Sequence, residues 1–402
     1  MMNLRRSLSL PQLVLYGIGT TIGAGIYALV GEISAVAGWL SPWSFLVASA
    51  MAALTALSFA ELSSRFPRAA GAALYVEQGF GSQHLAMLVG CLVIACGVVS
   101  SAALMNGFAG YLTDFVRLGD AFVMTLGVIV LCGLAIWGIK QSAWAAAMIS
   151  VVEVGGLIWV TTLSLGATEL RSADWSRFLP SSSDALPILS GAILSFYAYI
   201  GFEDMVEVAE EVRDVRRTLP RAILITLVTT SVVYVVLLGS MLLAVGPEAI
   251  AASSAPLAYV HQLLTGSRSN VLGVIALFAI INGALIQIIM ASRVIYGLAS
   301  RGQLPAVLGR VSARWQTPAL ATLIVSAGVL TLALTGQLAG LAEATSLLML
   351  LVFCLINLAL WRVQGRAPAP EGAFKVPRFV PPIAFVVCAF FVVHGFSQWA
   401  MS

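Results

Sequence analysis

Apolar runs of about twenty residues, separated by short polar breaks, follow one another along nearly the whole 402-residue chain. A helix rises 1.5 Å per residue and the hydrocarbon core of a bilayer is about 30 Å thick, so about 20 apolar residues are enough to cross it. Eleven stretches meet that rule: 12–37, 40–65, 84–115, 121–139, 142–166, 186–209, 219–245, 270–299, 317–336, 339–362 and 377–399. They are long and continuous, whereas a transmembrane barrel alternates in segments of about ten residues. The pattern therefore predicts an all-α integral membrane protein, with little chain left for a soluble domain.

Composition agrees, since 60% hydrophobic and 10% charged residues lie outside the range of soluble domains. The few charges are sorted by side. With the N-terminus in the cytoplasm, 17 of the 21 basic residues fall on cytoplasmic ends and loops, from Arg5 and Arg6 through Arg213, Arg216 and Arg217 to Lys375 and Arg378. Arg117, Arg171, Arg177 and Arg268 fall outside. This is the positive-inside bias of a multi-pass protein of the cell membrane, and it puts the C-terminal tail outside. The net charge of +3 is then a topology signal and no argument for a nucleic-acid partner.

The N-terminal basic-then-apolar stretch is too long for a signal core of about 7–15 residues, so the first span is expected to be retained. Cys91, Cys96, Cys132, Cys354 and Cys388 all lie within spans, and His84, His261 and His394 are scattered. No disulfide framework, metal site or cofactor is expected. No HExxH or paired-aspartate motif sits in a span, which disfavours an intramembrane enzyme.

Two spans are interrupted. The first reads VLYGIGTTIGAGIYALVG, with Gly17, Gly19, Gly23 and Gly25 at bilayer depth; the sixth reads ILSFYAYIGFEDMVEV, with acids directly after Gly201. Glycines of this kind also serve close helix packing. Interruptions at corresponding places in two sets of five spans, however, point to a transporter binding site. The chain then divides into a first five-helix repeat at 1–168, a second of opposite direction at 185–365, and an additional span with a short tail at 374–402.

The chemistry of such a site follows from helix ends. The first half of span 1, ending near Thr21, turns carbonyl oxygens and a negative dipole end to the midplane, and the second half, from Gly23, offers free N–H groups. Carbonyls of Tyr197, Ala198, Tyr199 and Ile200 add a second negative cluster. Tyr197, Tyr199 and Phe202 are expected to supply aromatic walls. A ligand with an ammonium beside a carboxylate satisfies both ends, so the pattern suggests an amino acid.

Span 6 continues into Glu203, Asp204, Glu207, Glu210 and Glu211, which on an α-helix share one face with Asp214, Asp204 lying just beside the others. A charge facing lipid at mid-membrane costs about 2.5–3.5 kcal/mol, so this face is expected to turn to the bundle interior or a water path. The last three acids suit interfacial pairing with nearby arginines. Glu203 and Asp204, nearest the break, suit either substrate or proton chemistry, or capping of the second half-helix.

At these residues the chain resembles the amino acid-polyamine-organocation permeases, which share the five-plus-five inverted repeat of the leucine transporter. The likeness rests on IGAGIY at 22–27, FPRAAGAALYVEQGFG at 66–81, YIGFED at 199–204, RRTLPRAI at 216–223 and SRVIYGLASRGQLP at 292–305, in order along nearly the whole chain. It implies a secondary active transporter of amino acids working by alternating access, in which the Gly23, Ala24 and Gly25 amides hold the carboxylate, carbonyls near Thr21 and Tyr197–Ile200 hold the ammonium, and Ile22 belongs to the same substrate-binding set. It also implies that Tyr197 is an aromatic gate. A polyamine or organic-cation exchanger, and a non-transporting amino-acid sensor, remain as alternatives.

Three departures matter. Relatives usually have twelve spans, so the oligomeric state stays open here. The Asn-Pro common before span 7 is Asp214-Val215. Where some relatives carry a core-facing lysine on span 5, this chain has Glu153 near the midplane, with no cationic neighbour on its own helix. Glu153 is therefore the leading candidate to carry a coupling proton, with Glu203 and Asp204 as competitors. The middle of span 8, INGALIQII at 281–289, lacks the hydroxyl pair usual for sodium coupling, and sodium independence is expected.

Overall fold

The computed structural model describes residues 8–67, 71–113, 115–137, 143–167, 174–267 and 270–401. They form fifteen α-helices: α1 (Leu10–Ile22), α2 (Ala24–Ala37), α3 (Ser41–Arg65), α4 (Gly71–Phe80), α5 (Gln83–Thr113), α6 (Asp120–Trp137), α7 (Ala143–Ala167), α8 (Ala185–Tyr197), α9 (Val215–Val245), α10 (Pro247–Ala251), α11 (Pro256–Thr265), α12 (Asn270–Ser300), α13 (Ala319–Thr335), α14 (Leu338–Arg366) and α15 (Val380–Met401). Among the described residues, nine helical stretches are long and apolar enough to cross a bilayer, and α1 and α13 are shorter apolar helices. The chain is an all-α integral membrane protein. Its extended pairing is a single bridge between Leu8 and Val212 among the described residues, backed by the Arg213 amide donating to the Leu8 carbonyl at 3.0 Å.

Local chemistry explains where the key helices start and stop. Gln12 reaches back to accept from the Ser9 amide at 3.0 Å, which satisfies one of the orphan donors at the start of α1. α1 then ends at Ile22, Gly23 carries the break with φ −52° and ψ −132°, and α2 begins at Ala24. α8 ends at Tyr197 and passes through a turn to Gly201, whose φ of 127° is open to glycine and strained for other residues.

Beyond Gly201 the chain differs from expectation. Residues Phe202–Glu211 form a 3-10 segment, not the continuing α-helix on which the shared acidic face was reasoned. With three residues per turn instead of 3.6, the angular relation among its acids changes. Glu203 folds back to accept from the Gly201 amide at 2.9 Å, so a capping carboxylate competes with the α-helical pattern at the outset. The side chains of Glu207, Glu210 and Glu211 lie outside the described residues, as do Arg5, Arg6, Arg68, Lys140, Arg171 and Arg268.

α5 occupies the middle of the bundle, packed on α12 and α14, while α1 packs on α9 and α7, and α8 on α3 and α14. Large apolar side chains such as Ile129, Val228, Phe278 and Val386 remain exposed on the outside of the bundle, where lipid is the solvent. At one rim the 174–184 segment is pinned to the α2–α3 turn: Trp43 Nε1 donates to the Phe178 carbonyl at 2.7 Å, and the Arg177 guanidinium lies over the Trp39 ring at 4.9 Å. In that exposed segment hydrogen bonds from Ser176, and then from Arg177, hold the Asp174 carboxyl below its usual range.

At the opposite rim a buried carboxylate ties two helices and a connecting strap together. Glu61 pairs with Arg65 at 2.6 Å and accepts from Gln364 Nε2 and the Val376 amide, both at 2.8 Å. Arg65 also donates to the Ala367 carbonyl, and Ser64 donates to the Arg216 carbonyl while accepting from the Phe374 amide. Residues 367–376, between α14 and α15, are thereby fastened to the end of α3 and the start of α9.

Candidate functional site

The two interruptions meet. Thr20 Oγ1 donates to the Gly201 carbonyl at 3.0 Å, and a Cβ built on Gly201 would overlap the Thr20 carbonyl. From α9, the buried Tyr234 hydroxyl lies 3.0 Å from the Thr21 carbonyl and 3.0 Å from the Ala198 carbonyl, the first at the end of α1 and the second just past the end of α8. A fully buried tyrosine needs a partner for its hydroxyl, and here the partners are the loosened ends of both broken helices. Gly25 is equally constrained, since a Cβ there would sit 3.0 Å from Ala198 Cα and 3.3 Å from the Tyr197 ring.

Between the breaks lies a narrow cavity with four walls. The α1–α2 break contributes Gly19, Thr20, Thr21, Gly23 and Gly25; α5 contributes Ser100 and Leu104; the α8 break contributes Tyr197, Ile200 and Asp204; α12 contributes Ala279, Asn282, Gly283, Ile286 and Gln287. Gly23 is the N-cap of α2 and supplies no side-chain cap, so the first amides of α2 are presented beside the cavity. The Tyr197 hydroxyl is held 2.9 Å from Ser100 Oγ and 3.2 Å from the Ser100 carbonyl, which fixes its ring against α5. Among the described residues, one acid and no base lines the space.

The expected site residues divide by position. Thr21, Gly23, Gly25, Tyr197 and Ile200 come together at the cavity, with Asp204 beside them. Ile22 is buried at the end of α1 away from it, and the side chain of Ala24 lies outside the described residues. Ala198 takes part through its carbonyl, which Tyr234 already uses; a carbonyl keeps a second lone pair for a ligand. Tyr199 and Phe202 turn elsewhere. Tyr199 packs edge-on to Phe45 and Tyr234 and donates to the Phe45 carbonyl at 3.2 Å, while Phe202 packs between Phe59 and Phe353.

Glu153 lies on α7, which packs against α1, and is 2% exposed. Neither carboxylate oxygen has a hydrogen-bond partner among the described residues. Its backbone carbonyl accepts from Tyr27 Oη at 2.6 Å, and its side chain is within electrostatic range of the Tyr27 and Tyr234 hydroxyls. Among the described residues no cluster of three or more His, Cys, Asp or Glu could hold a metal ion.

Sequence reasoning missed Tyr234, Ser100, Leu104 and the α12 wall as site elements. A lone tyrosine in the middle of an apolar span was the one available signal, because its hydroxyl cannot be left bare in hydrocarbon. The others sit in unbroken helices and carry no local mark.

A bundle of membrane helices in which two interrupted helices enclose a polar cavity defines a membrane carrier of small solutes. The comparison with known proteins gives the family: the sequence pattern of the amino acid permeases matches residues 8–400, and the chain belongs to that family. It is 26% identical to the branched-chain amino acid permease BcaP of Bacillus subtilis, over 98% of this chain and 88% of that protein. It is 28% identical to the mitochondrial cationic amino acid transporter 3 of Arabidopsis thaliana, over 92% of this chain and 64% of that one. An uncharacterized transporter of Mycobacterium tuberculosis is 29% identical over 96% of this chain and 85% of its own length.

Proposed function

We propose that this permease is a secondary active transporter of α-amino acids across the cell membrane, working by alternating access and coupled to protons through Glu153. The observation that carries the reading is the convergence of the two breaks. Amides at the start of α2 suit a carboxylate, carbonyls at the ends of α1 and α8 suit an ammonium, and residues of both breaks line one cavity. The family supports amino acids as the cargo class, while the relatives' names divide between branched-chain and cationic amino acids.

A five-plus-five inverted repeat within an eleven-span topology, N-terminus in the cytoplasm, is part of the same proposal. What supports it is reciprocal packing. If spans 1–5 map onto 6–10, the contact of α1 with α9 should be mirrored by α8 with α3, that of α7 with α1 by α14 with α8, and that of α7 with α9 by α14 with α3; each of these pairs is in contact.

Purified protein in proteoliposomes is the test. Uptake of labelled amino acids should follow an imposed proton gradient and persist when sodium is replaced by choline at fixed pH. Binding without flux would instead favour a sensor, and loss of uptake in choline would overturn sodium independence.

A further inference from the structure

The amides at the start of α2 stand directly after a hinge that does not hold them. Gly23 turns the chain with φ −52° and ψ −132° and, having no side chain, adds no cap to the helix. The direction of the first turn, residues 24–27, therefore has to be fixed from farther along.

Tyr27 closes that turn and is fully buried. Its hydroxyl reaches α7, where it donates to the Glu153 carbonyl at 2.6 Å. Its own carbonyl accepts from the Tyr111 hydroxyl of α5 at 3.0 Å. One residue of α2 thus joins two helices that carry no break, and through α7 it is fastened to the backbone of the residue proposed to carry the proton.

The seat on α7 is shaped for this side chain. A Cβ built on Gly156, three residues beyond Glu153, would stand 2.7 Å from Tyr27 Oη, whereas the next nearest atoms, on Ile275, are at 3.3 and 3.5 Å. Glycine at 156 is needed for the hydroxyl more than for helix packing. Ala28, the following residue, has a similar seat on α5, since a Cβ on Gly107 would lie 3.0 Å from Ala28 Cβ. Gly25 is stopped on the other flank by Ala198. At 2.6 Å the Tyr27 bond is at the short end of the O–H···O range and tolerates little displacement, and a binding constellation works only when held to within about 0.5 Å.

We infer that Tyr27, seated at Gly156 of α7 and tied to α5 through Tyr111, is a positioning residue that aims the first amides of α2 at the substrate carboxylate and so sets the preference for a cargo with a free carboxylate. Tyr27 is not among the residues that line the cavity, so it acts through the turn it anchors. The inference rests on the reading of the cavity as an amino-acid site with its carboxylate at α2.

The experiment titrates the purified full chain with L-leucine, L-arginine and their carboxamides, L-leucinamide and L-argininamide, and reads binding from ligand-induced shifts of the melting temperature. Whichever acid binds should do so at least about tenfold tighter than its carboxamide, which keeps the ammonium but offers no charged acceptor. Tyr27→Phe removes the hydroxyl, and Gly156→Ala displaces it while leaving α7 intact, because Oη is the far end of its side chain. Each should shrink the acid-to-carboxamide ratio by about three- to tenfold, through weaker binding of the acid alone. The double variant should lose no more than either single one, because without the hydroxyl a Cβ at 156 meets nothing closer than 3.3 Å. An equal loss for acid and carboxamide, an unmoved ratio in the folded variants, or losses that add in the double variant would overturn the positioning role and leave the amino-acid reading standing. Wild-type protein that binds neither acid tighter than its carboxamide overturns both.

Discussion

Thr20 meets the backbone of Gly201 in two ways: the Thr20 hydroxyl donates to the Gly201 carbonyl at 3.0 Å, and a Cβ at 201 would overlap the Thr20 carbonyl. The φ of 127° at Gly201 adds a second reason for glycine. Gly201→Ala should therefore push the two broken helices apart as well as strain the turn, at about 1–3 kcal/mol for the strain alone. A lowered melting temperature in detergent and at least tenfold weaker substrate binding are expected. Wild-type affinity in this variant would remove the contact between the breaks from the site.

Gly25→Leu acts at the other wall. Its side chain would run into Ala198 and the Tyr197 ring, where even a Cβ has only 3.0 Å and 3.3 Å. Binding should be abolished while the purified protein stays monodisperse, since the change adds no charge to the core. Retained affinity would take the start of α2 out of the carboxylate site.

Tyr234→Phe removes one hydroxyl and with it the bridge between the Thr21 and Ala198 carbonyls. The single hydroxyl proton is shared between the two carbonyls and is worth about 0.5–1.5 kcal/mol, so the fold should survive with reduced thermal stability. Because the bridge joins the two halves that must move in a transport cycle, the maximal rate of uptake should fall more than the affinity. An unchanged rate would make Tyr234 a packing residue.

These three sites differ in how they could be read beforehand. The breaks announced themselves, because Gly17, Gly19, Gly23, Gly25 and Gly201 stand at bilayer depth where a packed helix needs few of them. The direction of side chains after a break did not. Once the backbone leaves α geometry at Ala198 and resumes as a 3-10 segment at Phe202, helical periodicity no longer says where Tyr199 or Phe202 points. Residues that reach the cavity from unbroken helices, Ser100 and Gln287 among them, are set by how α5 and α12 pack on the breaks, a tertiary fact with no local signal.

Glu61 is buried at the end of α3 with four donors on its two oxygens: Arg65 through two nitrogens, Gln364 and the Val376 amide. Glu61→Ala leaves Arg65, whose side chain is 6% exposed, without its counter-ion. Breaking one side of a buried pair costs about 3–5 kcal/mol, and here it also frees the strap before α15. A clear drop in melting temperature should be accompanied by faster protease cleavage within 367–376. Glu61→Gln, which keeps an acceptor, should be milder. If Glu61→Ala melts like the wild type, the network adds no stability.

Topology has its own test. Single cysteines introduced at 213–217 should react with a membrane-impermeant thiol reagent only after the cell membrane is permeabilised, and a cysteine at Ser402 should react in intact cells. A protected C-terminus would overturn the odd number of spans.

Glu153 is the residue on which proton coupling is argued. Its carboxylate is buried with both oxygens lacking a hydrogen-bond partner among the described residues, a costly arrangement if it were permanently charged and serving only packing. It sits on α7, against α1 and α9, with its own carbonyl tied to Tyr27 on α2. α7 packs on both α1 and α9, so a change of charge at Glu153 acts where the Thr21 end of α1 meets the helix that carries Tyr234. Proton binding there would bias the two helix ends that alternating access has to move. Glu153→Gln mimics the neutral form: exchange of labelled for unlabelled substrate across proteoliposomes should survive, while accumulation driven by a proton gradient, and its dependence on pH, should be lost. Glu203 is the control, because its carboxylate caps the Gly201 amide and so has a structural task. If Glu153→Gln still accumulates substrate against a gradient and Glu203→Gln does not, the proton site moves to the break in span 6.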